Sequence, residues 1–157
     1  MRLLVISDSH GSTERMSLAA RLTKPDAILH LGDYIGDARK LHTQIRNVVF
    51  YMVKGNCDFS AAGETEQLIK AEGVLIYMTH GHKYNVKNGL TAFSYRTQEV
   101  GADIGLYGHT HKAMIQQSNG IWLMNPGQME RHDDMRKATY GVITIENDNI
   151  RMEIVNL

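Results

Sequence analysis

Short apolar runs alternate with polar, turn-forming segments along the whole chain, and the spacing inside several of the polar stretches is helical. Leu3 to Ile6 reads as an entirely apolar strand, followed by a helix over residues 12–22 with Ser12 as its N-cap and Met16, Leu18, Ala19 and Leu22 at helical spacing. Pro25 and Asp26 mark a turn into a second strand, Ala27 to Leu31. A helix over Asp37 to Ile45 comes next, then a strand over Val48 to Val53 that runs into Gly55 and Asn56. Strand, helix, strand, helix, strand predicts right-handed parallel crossovers with helices covering the sheet.

The second half changes rhythm. Glu66 to Ala71 and Val74 to Thr79 are strands separated by Glu72-Gly73, a hairpin turn. A helix is expected over 89–100, then strands at Ile104 to Tyr107, Ala113 to Gln117 and Ile121 to Met124. Tyr140 to Ile145 and Ile150 to Val155, joined by Asn147, Asp148 and Asn149, close the chain as another hairpin. The expected architecture is two sheets packed face to face with outer helices. Pro25 and Pro126 are the only prolines, no Gly/Ser/Pro linker intervenes, and the most charged stretch, Gln128 to Lys137, is expected to be a surface loop.

At 157 residues the chain has the length of one domain, 1–157, large enough to bury a core without disulfides or metals as staples. Acidic and basic residues balance at 17 each, so no basic field spreads over the surface and extended nucleic-acid tracking is not expected. The single cysteine, Cys57, has no internal partner, which suits the reducing cytoplasm. The apolar part of MRLLVISDSHG is too short for a signal peptide, and no run of about eighteen apolar residues occurs, so a soluble cytoplasmic protein without a membrane span is predicted. The nine methionines read as adaptable core filling.

The polar residues just beyond the apolar runs carry the chemistry. Asp8 and His10 follow the first strand, Asp33 the second and Asn56 the third; His80 follows the run at 74–79, and His109 with His111 the run at 104–107. Five strand ends gathered at one edge would collect carboxylates, an amide and imidazoles, the donor set of a two-metal site. In Asp8-Ser9-His10 and His109-Thr110-His111 the paired side chains are two positions apart, so an extended backbone would direct both to one side. Asp33, held in a loop by Gly32, is the expected bridge between two ions, and Asn56 after Gly55 adds a neutral oxygen. Such mixed ligation suits Mn, Fe, Zn, Co or Ni better than Ca. Two ions about 3.5 to 4 Å apart would lower the pKa of a bridging water and hold phosphate oxygens for in-line attack by the resulting hydroxide, which predicts phosphate ester hydrolysis. Taken singly, each residue has a plainer reading, since Asp and Ser at strand ends commonly cap helices and a loop histidine is often only hydrogen-bonded. Recurrence at five strand ends favours the metal reading.

DSHG at 8–11, GD at 32–33, GNCD at 55–58, HGH at 80–82, GHTH at 108–111 and NPG at 125–127 resemble, in order and spacing, the motifs of the calcineurin-like metallophosphoesterase superfamily. The length and GNCD are similar to its small YfcE-like phosphodiesterase branch. The resemblance implies an α/β fold, a four-layer αββα sandwich of two packed mixed sheets flanked by helices. It also implies that Asp8, His10, Asp33 and His111 hold one divalent metal ion while Asp33, Asn56, His80 and His109 hold the other. Manganese is the first expectation, with Ni, Co, Fe or Zn as alternatives. Cys57 stands where many members have the histidine of a GNH motif, which can protonate the leaving oxygen; a thiol is a weaker donor with a higher reference pKa. Substrates with good leaving groups are therefore expected, and because family members with cysteine at this position resemble phosphodiesterases more than monoesterases, the resemblance implies diesters.

Cys57 has a second reading as a small buried residue. Asp58 reads as orienting a ligand or capping the next segment, and His82 either as a substitute proton donor or as a supporting or surface residue. Gln128 replaces a serine common in the family after NPG and is assigned no chemistry, whereas Asn125, Pro126 and Gly127 are expected to shape a turn near the ligands. His30 is expected in the core and His42 on a helix surface; His132, beside Arg131, would reach substrate only if its loop folds over the site. The expected partner is a small phosphodiester substrate, with a homo-oligomer as a further inference from the resemblance. Rival readings are a phosphomonoesterase, a nuclease like the DNA-repair branch, and a non-catalytic protein-binding scaffold like the retromer subunit that shares the fold.

Overall fold

Leu3, Leu4, Val5 and Ile6 are all fully buried, which a strand achieves only when both of its faces are covered. They belong to β1 (Arg2–Ile6), the central strand of a five-stranded sheet. A computed structural model describes residues 1–130, 137–147 and 149–157 of the chain. In it β1 pairs in parallel with β2 (Ala27–His30), and β2 with β3 (Val49–Met52), while β9 (Thr139–Glu146) and β10 (Asn149–Asn156) extend the other edge antiparallel. The second sheet also has five strands: β4 (Glu66–Ala71), β5 (Val74–Thr79), β6 (Ile104–Leu106), β7 (Met114–Ser118) and β8 (Ile121–Asn125). Its order is β4-β5-β6-β8-β7, with β5, β6 and β8 parallel and the two edge strands antiparallel.

Alternation along the strands explains the layers. Leu3, Val5, Leu29 and Leu31 project from the first sheet onto Ile76, Met78, Leu106 and Met124 of the second. Leu4, Ile6 and Ile28 point the other way, onto Met16, Ala19, Ala38 and Leu41 of α1 (Thr13–Thr23) and α2 (Ile35–Gln44). On the far side, α3 (Thr91–Glu99) buries Phe93 against Tyr77, Tyr107 and Leu123. The result is the four-layer αββα sandwich anticipated from the sequence, with two mixed sheets. The Glu72-Gly73 hairpin is also as expected, both residues having positive φ (47° and 87°), the requirement of a tight two-residue turn matched to strand twist.

Three expectations need correction. Leu18 and Leu22 are 38% and 62% exposed, because α1 turns Met16, Ala19, Ala20 and Thr23 inward instead. Ser12 occupies the N-cap position of α1 but its side chain makes no cap hydrogen bond. Helix α2 starts two residues earlier than Asp37, since the Asp58 carboxylate accepts a hydrogen bond from the Ile35 N–H (2.9 Å) and caps the earlier turn from outside the local sequence. The closing hairpin forms, with Asp148 outside the described residues. Among the described residues, no helix is long and apolar enough to cross a membrane.

His30 is fully buried, as the apolar run around it suggested. The Gly32 N–H donates to its Nδ1 (3.3 Å), so Nε2 carries the proton and faces Ser9 Oγ at 3.3 Å, which in turn donates to Asp37 Oδ2 at 2.7 Å. Burial pushes the imidazole down to about 4, against the raising effect of Asp8, Asp58 and Asp37. Because the folded state resists a proton that the unfolded chain accepts, stability is whole above about pH 6.5 and drains away towards pH 4, by about 3 kcal/mol from this residue. An imidazole titration followed by NMR should place His30 near 4; denaturant unfolding should show the loss between those two pH values, and a His30 that titrates near 6.5 would contradict the burial argument.

Candidate functional site

The carboxyl ends of β1, β2 and β3 in one sheet and of β5 and β6 in the other meet at a single edge. Hydrogen bonds tie the outgoing loops together: Asp8 N to Gly32 O (3.0 Å), Val53 N to His30 O (3.0 Å) and Gly108 N to His80 O (3.1 Å). The extended-backbone account of the Asp-x-His and His-x-His pairs does not hold. Strand β1 stops at Ile6, and Asp8, His10, His109 and His111 all have left-handed φ values of 53°, 40°, 66° and 58°. Asp33 shares this conformation at 57°. Each such residue carries a backbone cost on the order of 1 to 2 kcal/mol, and such strain clusters where a site demands it. Tight turns, and not pleat, aim these side chains.

The turns bring the sequence-predicted residues together. Asp8, His10 and His111 form one group and Asp33, His80 and His109 another, each with its donor atoms within 4.8 Å of one another. Asp33 links the groups: its Oδ2 lies 3.8 Å from His10 Nε2 and 3.4 Å from His80 Nε2. Asp8 Oδ1 stands 3.1 Å from His111 Nε2 and 3.9 Å from His80 Nε2. Asn56 Oδ1 approaches His80 Nε2 at 3.1 Å. The other His80 nitrogen, Nδ1, donates to the Leu31 carbonyl at 2.8 Å, which turns Nε2 towards the cluster. Asp8, Asp33 and His80 are buried, whereas His10, Asn56, His109 and His111 are partly open to solvent.

This donor set fits divalent ions. Two buried carboxylates have only imidazoles as ion-pair partners among the described residues, and Asp8 Oδ1 and His10 Nε2 are buried without a hydrogen bond. Burial alone would raise both carboxyls; His111, His80 and Ser7 outweigh it at Asp8, and His80 with the Cys57 N–H does so at Asp33, so both stay ionised. His80 is raised because Asp33 and Asp8 overcome its burial, and His111 is raised by Asp8. His109 is pushed down to about 4 by burial, by His80 and by Lys87. A bound cation would add positive charge and favour the deprotonated, ligating form of every imidazole.

Residues that sequence reasoning did not single out hold the ligands in place. Ser7 donates to Asp8 Oδ2 at 2.5 Å, and the His109 N–H approaches the same oxygen at 3.1 Å. Asp37 accepts from Ser9 Oγ and the Gly11 N–H, both at 2.7 Å, anchoring the loop that carries His10. Glu130 Oε2 lies 4.0 Å from His10 Nε2, and the Tyr34 ring packs on His10 with centroids 4.8 Å apart. A serine or aspartate in a loop gives no local signal of such roles; only the partner across the fold reveals it.

The remaining readings divide. Asn125 does shape the expected turn, donating to Gly108 O (2.8 Å) and Thr110 Oγ1 (3.0 Å) while accepting from the Gly127 N–H (2.9 Å). Asp58 caps α2, not the next segment, and its Oδ2 accepts from the Gly55 N–H at 2.9 Å. Cys57 is exposed, so the buried reading fails; its N–H donates to Asp33 Oδ1 (2.9 Å), and desolvation with the Asp33 carboxylate pushes its thiol up to about 11. His82 lies tilted to His80 and edge-on to His109, centroids 5.5 and 6.2 Å away, with its titration lowered by burial and by His80. Gln128 is 1% exposed and Met129 fully buried, correcting the surface-loop reading at its start, because Met129 N and Glu130 N bond Ser7 O and Asp8 O beside the site. His42 is exposed on α2, against Phe50. Arg131 and His132 lie outside the described residues.

Comparison with known proteins agrees with this geometry. The sequence profile described as the calcineurin-like phosphoesterase superfamily domain matches residues 1–148. The chain is 35% identical over 150 residues to the "Probable metallophosphoesterase YsnB" of Bacillus subtilis (strain 168), covering 94% of this chain and 86% of that protein. It is 26% identical over 183 residues to the phosphodiesterase YfcE of Escherichia coli (strain K12), covering 99% and 93%. The crystal structure of a predicted phosphoesterase from Streptococcus pneumoniae TIGR4 superposes with a TM-score of 0.79 at 26% identity, over 99% of this chain and 88% of that one.

At Gly55 packing leaves no room for a side chain. A methyl group there would overlap both Asp33 Oδ1 and the Asp33 backbone nitrogen. Gly55→Ala should therefore displace Asp33, weakening Mn²⁺ binding at least about tenfold in calorimetric titration. Unchanged affinity in a folded variant would show that Asp33 need not hold its position.

Proposed function

The chain belongs to the calcineurin-like phosphoesterase superfamily, and we propose that it is a binuclear, metal-dependent phosphodiesterase acting on small substrates in the cytoplasm. The observation that carries this reading is the position of Asp33 Oδ2 between His10 and His80, so that one carboxylate serves two three-residue groups. Asp8, His10, Asp33 and His111 would hold one ion, and Asp33, Asn56, His80 and His109 the other, with manganese the first choice and Ni, Co, Fe or Zn as alternatives. Ions bound there would supply an acidified water and electrostatic grip on phosphate oxygens.

The chain's own residues set the rest. The Leu31 carbonyl and the Asp8–Ser7 pair fix the orientation of the ligands before substrate arrives, so little reorganisation is needed during reaction. His109, held neutral, suits a ligand and not a proton donor. Cys57 keeps its proton at neutral pH, because desolvation and then Asp33 oppose the thiolate, and it is a weak acid for a departing alkoxide. With no strong acid at this position, esters with good leaving groups are favoured. The YfcE relative, named a phosphodiesterase, supports diesters over monoesters.

Metal-stripped protein resupplied in turn with Mn, Ni, Co, Zn and Mg should regain hydrolysis of bis(p-nitrophenyl) phosphate in excess of p-nitrophenyl phosphate. Asp33→Asn or His109→Ala should each lower kcat/KM at least about 100-fold. Faster monoester cleavage, a preference for oligonucleotides, or silence with every metal beside a stable protein partner would each replace this reading with a different one. Cys57→His should raise the rate on alkyl esters relative to nitrophenyl esters; an unchanged ratio would remove leaving-group protonation from the account of this position.

A further inference from the structure

A cleft of about 950 Å³ opens beside the ligand cluster. Thr110, the residue between His109 and His111, forms part of its wall, so the cleft begins at the metal-binding edge. Leu90 and Met114, both half-buried, contribute apolar surface, the almost wholly buried Tyr107 backs the wall, and Lys87 and Lys112, both exposed, stand at its rim. Among the described residues no carboxylate lines it, although acidic and basic residues balance over the whole chain.

Size and charge both exceed what a bare phosphate needs. The volume is that of a pocket for a whole small molecule. A diester phosphate carries one negative charge, which ions at the ligand cluster would already meet, yet two ammonium groups face the adjoining space. Lysine binds phosphate as a mobile point charge. At the far wall the first turn of α3 has Leu90 at its N-cap and no acidic residue, so nothing anionic there competes for the lysines.

We propose that this cleft receives one arm of the diester and selects an arm that joins a flat or apolar group to a second anion, as in a phosphorylated nucleoside. The proposal rests on the phosphodiesterase reading and names its substrate class. The 5′-phosphate would sit at the metal edge, the base and sugar against Leu90 and Met114, and the second phosphate between Lys87 and Lys112.

Two measurements separate the proposal from the reading beneath it. In calorimetric titration of the Mn-loaded protein, thymidine 3′,5′-bisphosphate should bind at least about tenfold tighter than thymidine 5′-monophosphate. The variant K87Q/K112Q, altered only at exposed side chains, should lose that preference, and K87R/K112R should keep it. Thymidine 5′-(p-nitrophenyl phosphate) should likewise be cleaved with higher kcat/KM when it carries a 3′-phosphate, again only while both cations are present. Equal binding of the two nucleotides, or a preference that survives K87Q/K112Q, would overturn the proposal. Failure to hydrolyse any aryl diester would instead count against the phosphodiesterase reading, while the binding titration would still decide what the cleft selects.

Discussion

Two ionised carboxylates buried at the meeting of two sheets, Asp8 and Asp33, impose the constraint on which the rest of this structure depends. A carboxylate out of water must be hydrogen-bonded and matched by positive charge, or it costs several kcal/mol. Neither has a lysine or arginine partner among the described residues; imidazoles and N–H or O–H donors surround them. Divalent ions are the charge for which such a donor set is suited. The same arrangement that makes the site costly to build is what makes it able to hold metal.

That constraint reaches into the backbone. Ligands drawn from two sheets must converge on points a few ångströms apart, and an extended strand end cannot turn its side chain sharply enough. Five ligand residues accordingly take left-handed conformations, and Gly55 and Gly108 let neighbouring chain pass where any side chain would collide with Asp33 or Ser7. The buried relay from His30 through Ser9 to Asp37 braces the loop that carries His10. Core packing and site geometry are thus one structure, because the apolar layers hold the strands whose ends supply the chemistry.

Residues of ordinary appearance surround this centre. The exposed thiol of Cys57 is kept protonated by desolvation and by the neighbouring Asp33 carboxylate. Lys87 and Lys112 add cations on one flank, next to apolar surface from Leu90 and Met114. The candidate metal cluster and these surroundings lie side by side at one edge of the fold.

Periodicity and motif spacing made much of this legible. Strands covered on both faces, such as Leu3 to Ile6, had to be wholly apolar, and polar residues recurring just past five such runs pointed to one edge. Where local pattern misled, a distant partner had intervened. Leu18 and Leu22 had helical spacing, yet the sheet took the opposite stripe of α1; Asp58 moved the start of α2; Gln128 and Met129 were drawn inward by Ser7 and Asp8. By itself the sequence determined the element order, the layered class and the candidate ligand side chains, because these follow from local periodicity and residue chemistry. Only the tertiary structure decided the left-handed turns, the bracing roles of Ser7, Asp37 and Asp58, and the cationic cleft. Those depend on which segments approach one another across many intervening residues, and chain composition does not encode that distance locally.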